Sequence, residues 1–203
     1  MKLFCKTISI VFHPLLMSTY AMIWLMTATE YQFSGANYKL VAIAGTLIFT
    51  GILPLLPLVI LLVRGEITDI NVSVREQRTF PYMFSFLAYI FWAYFLWRTL
   101  QMPYFIVSVA LASALSVVIL LTVNLRWKIS AHLCCAGGVF AFVVGISFKF
   151  GMNPVWLIIT MLAVSLLLVV SRIELKAHTP AQACAGFAVG FITTLLPILL
   201  LKI

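Results

Sequence analysis

The sequence predicts an all-α protein whose six to seven transmembrane helices form one polytopic membrane helix bundle. Of its 203 residues, 64% are hydrophobic and only 9% are charged, whereas about 25% of the residues in a soluble domain are charged. A chain of this length cannot bury such an apolar excess within itself, so lipid must cover it. No linker divides the chain, and we expect residues 1–203 to form a single integral membrane domain.

The individual helices are predicted from apolar runs, each close to the roughly 20 residues that cross the hydrocarbon core. These runs cover residues 7–28, 39–63, 82–100, 104–124, 131–149, 154–171 and 181–201. Only Gln101-Met102-Pro103 separates the third run from the fourth, which predicts a tight antiparallel hairpin.

The first run contains the dipeptide His13-Pro14. Proline removes a backbone hydrogen bond and collides with the preceding turn, so we expect a kink there, with His13 in a structural rather than a catalytic role. No small-residue cleavage site follows the basic N-terminus, which favours a retained first helix over a signal peptide.

Charges and cysteines argue against several classes of function. The net charge of +8 comes from basic residues scattered over short loops, and this scatter argues against a nucleic-acid-binding stripe. The four cysteines show no metal-ligand or disulfide spacing, so no metal site is predicted. The helices lack buried carboxylates, which disfavours a cation channel or transporter.

Three polar clusters interrupt the apolar sequence, at Asp69–Arg78, Arg126–His132 and Ser171–Gln182. They fall in the second, fourth and sixth connections between the seven runs. Even-numbered connections of such a chain lie on one side of the membrane, so the three clusters can form one site. That side carries nine Lys and Arg residues against four on the other, and the positive-inside rule then predicts a cytoplasmic site. We expect the inner or plasma membrane of a bacterium or archaeon.

The third cluster contains a serine, an arginine and a histidine that suit phosphate chemistry. His178 carries an imidazole, which is a good nucleophile toward phosphorus. The planar guanidinium of Arg172 matches phosphate oxygens. The alternative is an interfacial loop whose basic residues anchor lipid headgroups.

The other two clusters offer an acid and further cations. Ser130 is a candidate helix N-cap that directs free N–H groups at an anion, and His132 could protonate a leaving oxygen. Arg75 and Arg78 share a helix face and repel each other unless an anion lies between them. The alternatives are a capping serine with an interfacial histidine, and a solvated loop of mixed charge.

Together these clusters resemble the type 2 phosphatidic acid phosphatase superfamily, the membrane lipid phosphatases related to vanadium haloperoxidases. Its third signature, Ser-Arg-x5-His-x3-Asp, is matched by Ser171-Arg172-x5-His178 up to the histidine. Its second, Pro-Ser-Gly-His, appears as Ile129-Ser130-Ala131-His132. The resemblance covers residues 39–201, which would form the phosphatase-like helical core.

The first signature, Lys-x6-Arg-Pro, is matched only in part. Arg78 fits its arginine, but Thr79 replaces the proline and Asn71 stands where the lysine is expected. Arg75 is the candidate for the missing cation.

The resemblance implies a hydrolase that removes phosphate from a phosphomonoester or pyrophosphate of a lipid or polyprenyl substrate, without a metal or other cofactor. His178 would attack phosphorus and form a phosphohistidine intermediate, and His132 would protonate the leaving alkoxide. Arg78, Arg172 and Ser130 would bind the phosphate oxygens. The implied partners are the lipid phosphate and membrane lipids, not nucleic acid.

One residue departs from the family at a position that matters for the chemistry. Gln182 stands where the third signature has an aspartate that orients the histidine and stabilises its positive charge. A glutamine carbonyl can accept the same N–H bond but brings no charge, and Glu174 is a candidate to compensate. The alternative to an enzyme is therefore a catalytically weak or inactive relative that binds or translocates a lipid phosphate.

Overall fold

The computed structural model describes residues 1–70, 72 and 74–201, and this part of the chain confirms the predicted all-α bundle. Two short 3₁₀ turns, Glu30–Phe33 and Arg75–Arg78, lie outside the main helices. The α-helices are α1 Lys2–Val11, α2 Pro14–Ala28, α3 Ala36–Thr46, α4 Leu53–Val63, α5 Thr79–Arg98, α6 Tyr104–Asn124, α7 Ala131–Lys149, α8 Val155–Glu174 and α9 Pro180–Leu200.

Within the described residues, six helical segments are long and apolar enough to cross a membrane. They are Ala36–Val63, Arg75–Arg98, Tyr104–Asn124, Ala131–Lys149, Val155–Glu174 and Pro180–Leu200. The chain is therefore an integral membrane protein. The helices α1 and α2 supply a seventh span only if they are taken together.

The first apolar run is broken at His13-Pro14 rather than merely kinked. The axes of α1 and α2 differ by 55°, because the proline lacks the N–H that would continue the helix. His13 begins the new helix as its N-cap, and its Nδ1 accepts from the N–H of Leu15 at 3.4 Å. The structural role expected for this histidine is thus present.

The second run is continuous but not regular. A π-helical stretch, Leu47–Ile52, joins α3 to α4. Pro54, the second residue of α4, has no N–H to offer the carbonyl of Thr50, so regular α-helical bonding cannot pass through this point.

The three polar clusters meet at one end of the bundle. Arg78 donates from Nη1 to the carbonyl of Ile129 at 3.3 Å, which joins the first cluster to the second. The N–H of Ser130 donates to the carbonyl of Gln182 at 3.3 Å, which joins the second to the third. We call this the polar end. At the opposite end, the hydroxyl of Tyr38 donates to the carbonyl of Leu100 at 3.1 Å.

The helices α7 and α9 pack very closely against each other. A Cβ built on Gly190 would overlap the carbonyl oxygen of Cys134, and one built on Gly186 would overlap that of Ser130. Backbone therefore packs directly on backbone, as small residues allow between membrane helices. This contact fixes the N-termini of α7 and α9 side by side at the polar end.

Adding one methyl group to this contact should destabilise the bundle. We expect Gly190→Ala to lower the free energy of unfolding by about 1–3 kcal/mol, the usual effect of overpacking. The matched control is Gly35→Ala, because a Cβ at Gly35 meets nothing within 4 Å; it should change stability by less than about 0.5 kcal/mol. Thermal unfolding in detergent checks this, and equal stability of the two variants would contradict the close contact.

Candidate functional site

A cavity of about 200 Å³ opens at the polar end and is lined there by cations and imidazoles. These lining residues are His13, Arg78, His132, Arg172 and His178. They come from the α1–α2 break, the first turn before α5, the start of α7, the end of α8 and the α8–α9 turn. Four of them are candidate site residues from the sequence, and the bundle brings these four together.

Arg78 is held in place by the backbone of two loops. Its Nε donates to the carbonyl of Val72 at 2.8 Å and its Nη1 to that of Ile129 at 3.3 Å. The residue is only 5% exposed. Since a guanidinium has five N–H donors in a fixed fork, further donors remain for the cavity.

Arg172 occupies the last turn of α8 and is also 5% exposed. Its Nε is buried and has no hydrogen-bond partner among the described residues. A buried charged group with an unused donor is unfavourable unless something pairs with it. Arg172 is therefore the clearest sign that this end of the cavity is built for a ligand.

The surrounding charges are mostly positive. The charge of Asp69 acts on both Arg172 and Lys128. Partial burial lowers the pKa of Lys128, and the neighbouring guanidiniums of Arg78 and Arg172 lower it further. Among the described residues, Arg78, Lys128 and Arg172 thus repel one another while Asp69 attracts two of them, and an anion bound between the cations would relieve the repulsion.

The spacing of Arg172 and His178 follows from a tight turn at the end of α8. The N–H groups of Ala177 and His178 donate to the carbonyl of Arg172 at 3.0 and 3.3 Å. Lys176 takes a left-handed conformation, with φ of 53°, to close that turn. As a result the five intervening residues bring the histidine back beside the arginine.

Gln182 fixes the tautomer of His178. The N–H of Thr179 donates to Gln182 Oε1 at 3.1 Å within a capping box, so the amide oxygen faces this N–H. The same oxygen lies 3.3 Å from His178 Nδ1, which must therefore carry the proton. Nε2 of His178 is left with its lone pair.

His178 is neutral at neutral pH. Its burial lowers the pKa to about 4, and the charge of Arg172 beside it acts in the same direction. An imidazole with an unprotonated Nε2, positioned next to two guanidiniums, is able to act as a nucleophile.

The two other histidines are in edge-to-face contact, with ring centroids 5.3 Å apart. Nε2 of His132 lies 3.2 Å from the carbonyl oxygen of Ser9, so it must donate there, and Nδ1 holds the lone pair. His13 lines the cavity beside it, which the sequence did not indicate. In the sequence, its proximity to Pro14 indicated a kink and a structural role for this histidine.

Other candidates from the sequence do not line the cavity. Ser130 is completely buried, and its Oγ accepts from the N–H of Leu133 as the N-cap of α7. Arg75 forms an ion pair with Glu76 at 2.9 Å. Glu174 is half-buried near the end of α8 and is likewise absent from the lining. Asn71 lies outside the described residues.

Comparisons of the chain with family models, with curated proteins and with solved structures returned no match.

Proposed function

We propose that this protein is a membrane lipid phosphatase, a divergent member of the type 2 phosphatidic acid phosphatase superfamily. The observation that carries the proposal is the buried Arg172, whose Nε lacks a partner among the described residues. It lines the same cavity as Arg78 and as His178, whose Nε2 is unprotonated. Two buried guanidiniums that would be stabilised by an anion therefore line the same cavity as an imidazole that can attack phosphorus.

The chemistry proceeds in two steps. Nε2 of His178 attacks phosphorus, the bond from phosphorus to the leaving oxygen breaks, and the guanidiniums of Arg78 and Arg172 stabilise the charge on the phosphoryl oxygens. A phosphomonoester that enters as its monoanion brings one proton, which Nδ1 of His132 accepts and passes to the leaving oxygen. In the second step Nδ1 of His132 takes a proton from water. The oxygen of that water attacks phosphorus and releases His178 and inorganic phosphate.

Gln182 keeps His178 productive during both steps. Its Oε1 accepts the Nδ1–H, so the nitrogen that faces phosphorus is always Nε2. It supplies no negative charge to the imidazolium-like state that forms on attack. Part of that charge is balanced by the phosphate dianion itself.

The uncharged side chain of Gln182 is also compatible with a second function. A protein that binds or translocates a lipid phosphate without cleaving it needs the cations but not a stabilised phosphohistidine. The two functions differ in whether phosphate is released, and a direct assay separates them.

We further propose that the polar end faces the cytoplasm, in the inner or plasma membrane of a bacterium or archaeon, because nine Lys and Arg residues lie on its side. An impermeant maleimide should label Lys176→Cys in inside-out vesicles and not in right-side-out ones. Lys176 is exposed, and Cys184→Ser removes the exposed native thiol. Labelling in right-side-out vesicles would reverse the assignment.

The anion-binding part of the proposal can be tested with vanadate, a mimic of pentavalent phosphorus. Arg172→Gln should weaken vanadate binding by about 1.5–3 kcal/mol, the range for a hydrogen bond to a charged group. Arg75→Gln, its matched control, should change binding by less than about 0.5 kcal/mol, since Arg75 pairs with Glu76 at the surface. Calorimetry in detergent measures both, and equal affinities would remove Arg172 from the site.

The catalytic part can be tested by phosphate release from a panel of lipid phosphates. His178→Ala should abolish turnover while vanadate still binds. Gln182→Met keeps the side-chain length but loses the acceptor, so its rate should fall by up to ~10⁴-fold. Gln182→Glu keeps the reach and the capping box and adds a charge, so its rate should equal or exceed that of the wild type.

Two outcomes would count against the enzyme. If the wild type and Gln182→Glu bind lipid phosphates but release no phosphate, the binding or translocation function replaces it. If Gln182→Met remains fully active, the orienting role of Gln182 is wrong.

A further inference from the structure

The cavity continues from the polar end deep into the bundle. Along α5 its lining runs from Arg78 through Tyr82, Ser85 and Tyr89 to Leu96. Arg78 and Leu96 are 18 residues apart, which corresponds to about 27 Å along a helix axis. The hydrocarbon core of a bilayer is about 30 Å thick. The cavity therefore extends through most of the membrane from its cationic mouth.

Several of the hydroxyl groups in its wall are already satisfied within the bundle. Thr46 donates to the carbonyl of Ala42 at 2.7 Å, and Ser113 donates to that of Val109 at 3.0 Å. Thr50 and Ser85 likewise donate to carbonyls four residues earlier in their own helices. These four groups do not require a polar ligand, which is compatible with an apolar ligand below the mouth.

The far part of the cavity is apolar. It is lined by Met22, Trp92, Leu96, Ile106 and Phe142, all of which belong to the main hydrophobic core. Sites for drug-sized ligands measure about 300–1,000 Å³, whereas this elongated cavity measures about 200 Å³. Such a shape suits one extended chain rather than a compact or two-chained molecule.

We propose that this deep cavity holds the single hydrocarbon chain of a lipid phosphate inside the bundle, with the phosphate at the cationic mouth. The inference rests on the proposed function and narrows the ligand to one long alkyl or prenyl chain bearing a terminal phosphate group. The surrounding bilayer then contacts only the outer faces of the helices.

The position of the chain can be tested without turnover. The probe is a single-chain alkyl phosphonate, which cannot be hydrolysed at its carbon–phosphorus bond, with a photoreactive group at the chain end. After irradiation in detergent, it should crosslink to Trp92, Leu96 or Ile106, located by mass spectrometry. Excess vanadate should suppress this labelling by displacing the headgroup, and a probe with a neutral alcohol headgroup should not produce it.

Filling the cavity should remove the interior labelling. Ala110 and Ser113 both line it on α6, and Ala110→Phe should abolish crosslinks below this level. Ser113→Phe provides a second blocking variant at a half-buried position, should the first fail to fold. Leu111→Phe is the matched control, because Leu111 is exposed on the outer face of the same helix; it should leave the labelling unchanged.

Several outcomes would overturn the proposal. Crosslinks to Leu87 and Phe91, which are exposed on the outer face of α5, would place the chain in the bilayer. If vanadate does not suppress the interior crosslinks, or if the alcohol probe produces them too, the cavity accepts any apolar chain and is not a site for a lipid phosphate. Complete absence of labelling would also reject it.

Two further experiments identify the hydrocarbon chain of the ligand and test this inference separately from the proposed function. Alkyl and prenyl probes of equal length are compared, and the one labelled more strongly indicates the natural chain. A two-chained probe that labels the interior equally well would refute the single-chain limit. Interior labelling without phosphate release from any lipid would reject the phosphatase while retaining the chain site.

Discussion

The direct backbone contact between α7 and α9 is the constraint on which the site depends. Gly186 and Gly190 let α9 approach the carbonyls of Ser130 and Cys134 more closely than any side chain permits. Lipid tails give apolar helix faces little reason to associate, so close van der Waals packing of small residues must supply the attraction. At this separation the N-H of Ser130 reaches the carbonyl of Gln182. The loop that carries His178 is thereby fixed against the helix that carries His132.

The burial of charged side chains at the polar end determines what this site can bind. Arg78 and Arg172 are both nearly inaccessible; loop carbonyls accept two hydrogen bonds from Arg78, whereas Nε of Arg172 has no partner among the described residues. A buried cation in a membrane protein is unfavourable without a partner, and such residues commonly mark functional sites. The burial of His178 itself lowers the pKa of its imidazole to about 4, and the charge of Arg172 acts in the same direction, so the ring stays neutral. Burial therefore leaves Arg172 in need of an anion and also keeps the neighbouring imidazole neutral.

Gln182 shows how two requirements of a catalytic histidine can be separated. An orienting carboxylate fixes the tautomer of the ring and also stabilises its positive charge. Here the capping box at Thr179 holds the amide so that Oε1 faces the ring, which meets the first requirement through geometry alone. The second requirement is left to the phosphate and its surroundings. A neutral residue at this position also avoids placing a negative charge beside an anionic ligand.

Much of the fold was determined by the sequence itself. Apolar runs of membrane length must become helices, because lipid offers no partner for backbone N–H and C=O groups. The order of these runs places Arg78, His132, Arg172 and His178 at one end, since alternate connections return to the same side. The five-residue spacing from Arg172 to His178 is likewise local, since one tight turn closes it.

Only the tertiary structure decided which of the neighbouring residues reach the cavity. Arg75 and Arg78 look equivalent in the sequence, but the 3₁₀ turn directs Arg78 toward the carbonyl of Ile129 and leaves Arg75 with Glu76. His13 joins the site because α1 and α2 meet at 55°, an angle that a proline permits but does not specify. The deep cavity has no signature in any single helix. It exists because side chains from several helices fail to fill the space between them, and that depends on the packing of all of them together.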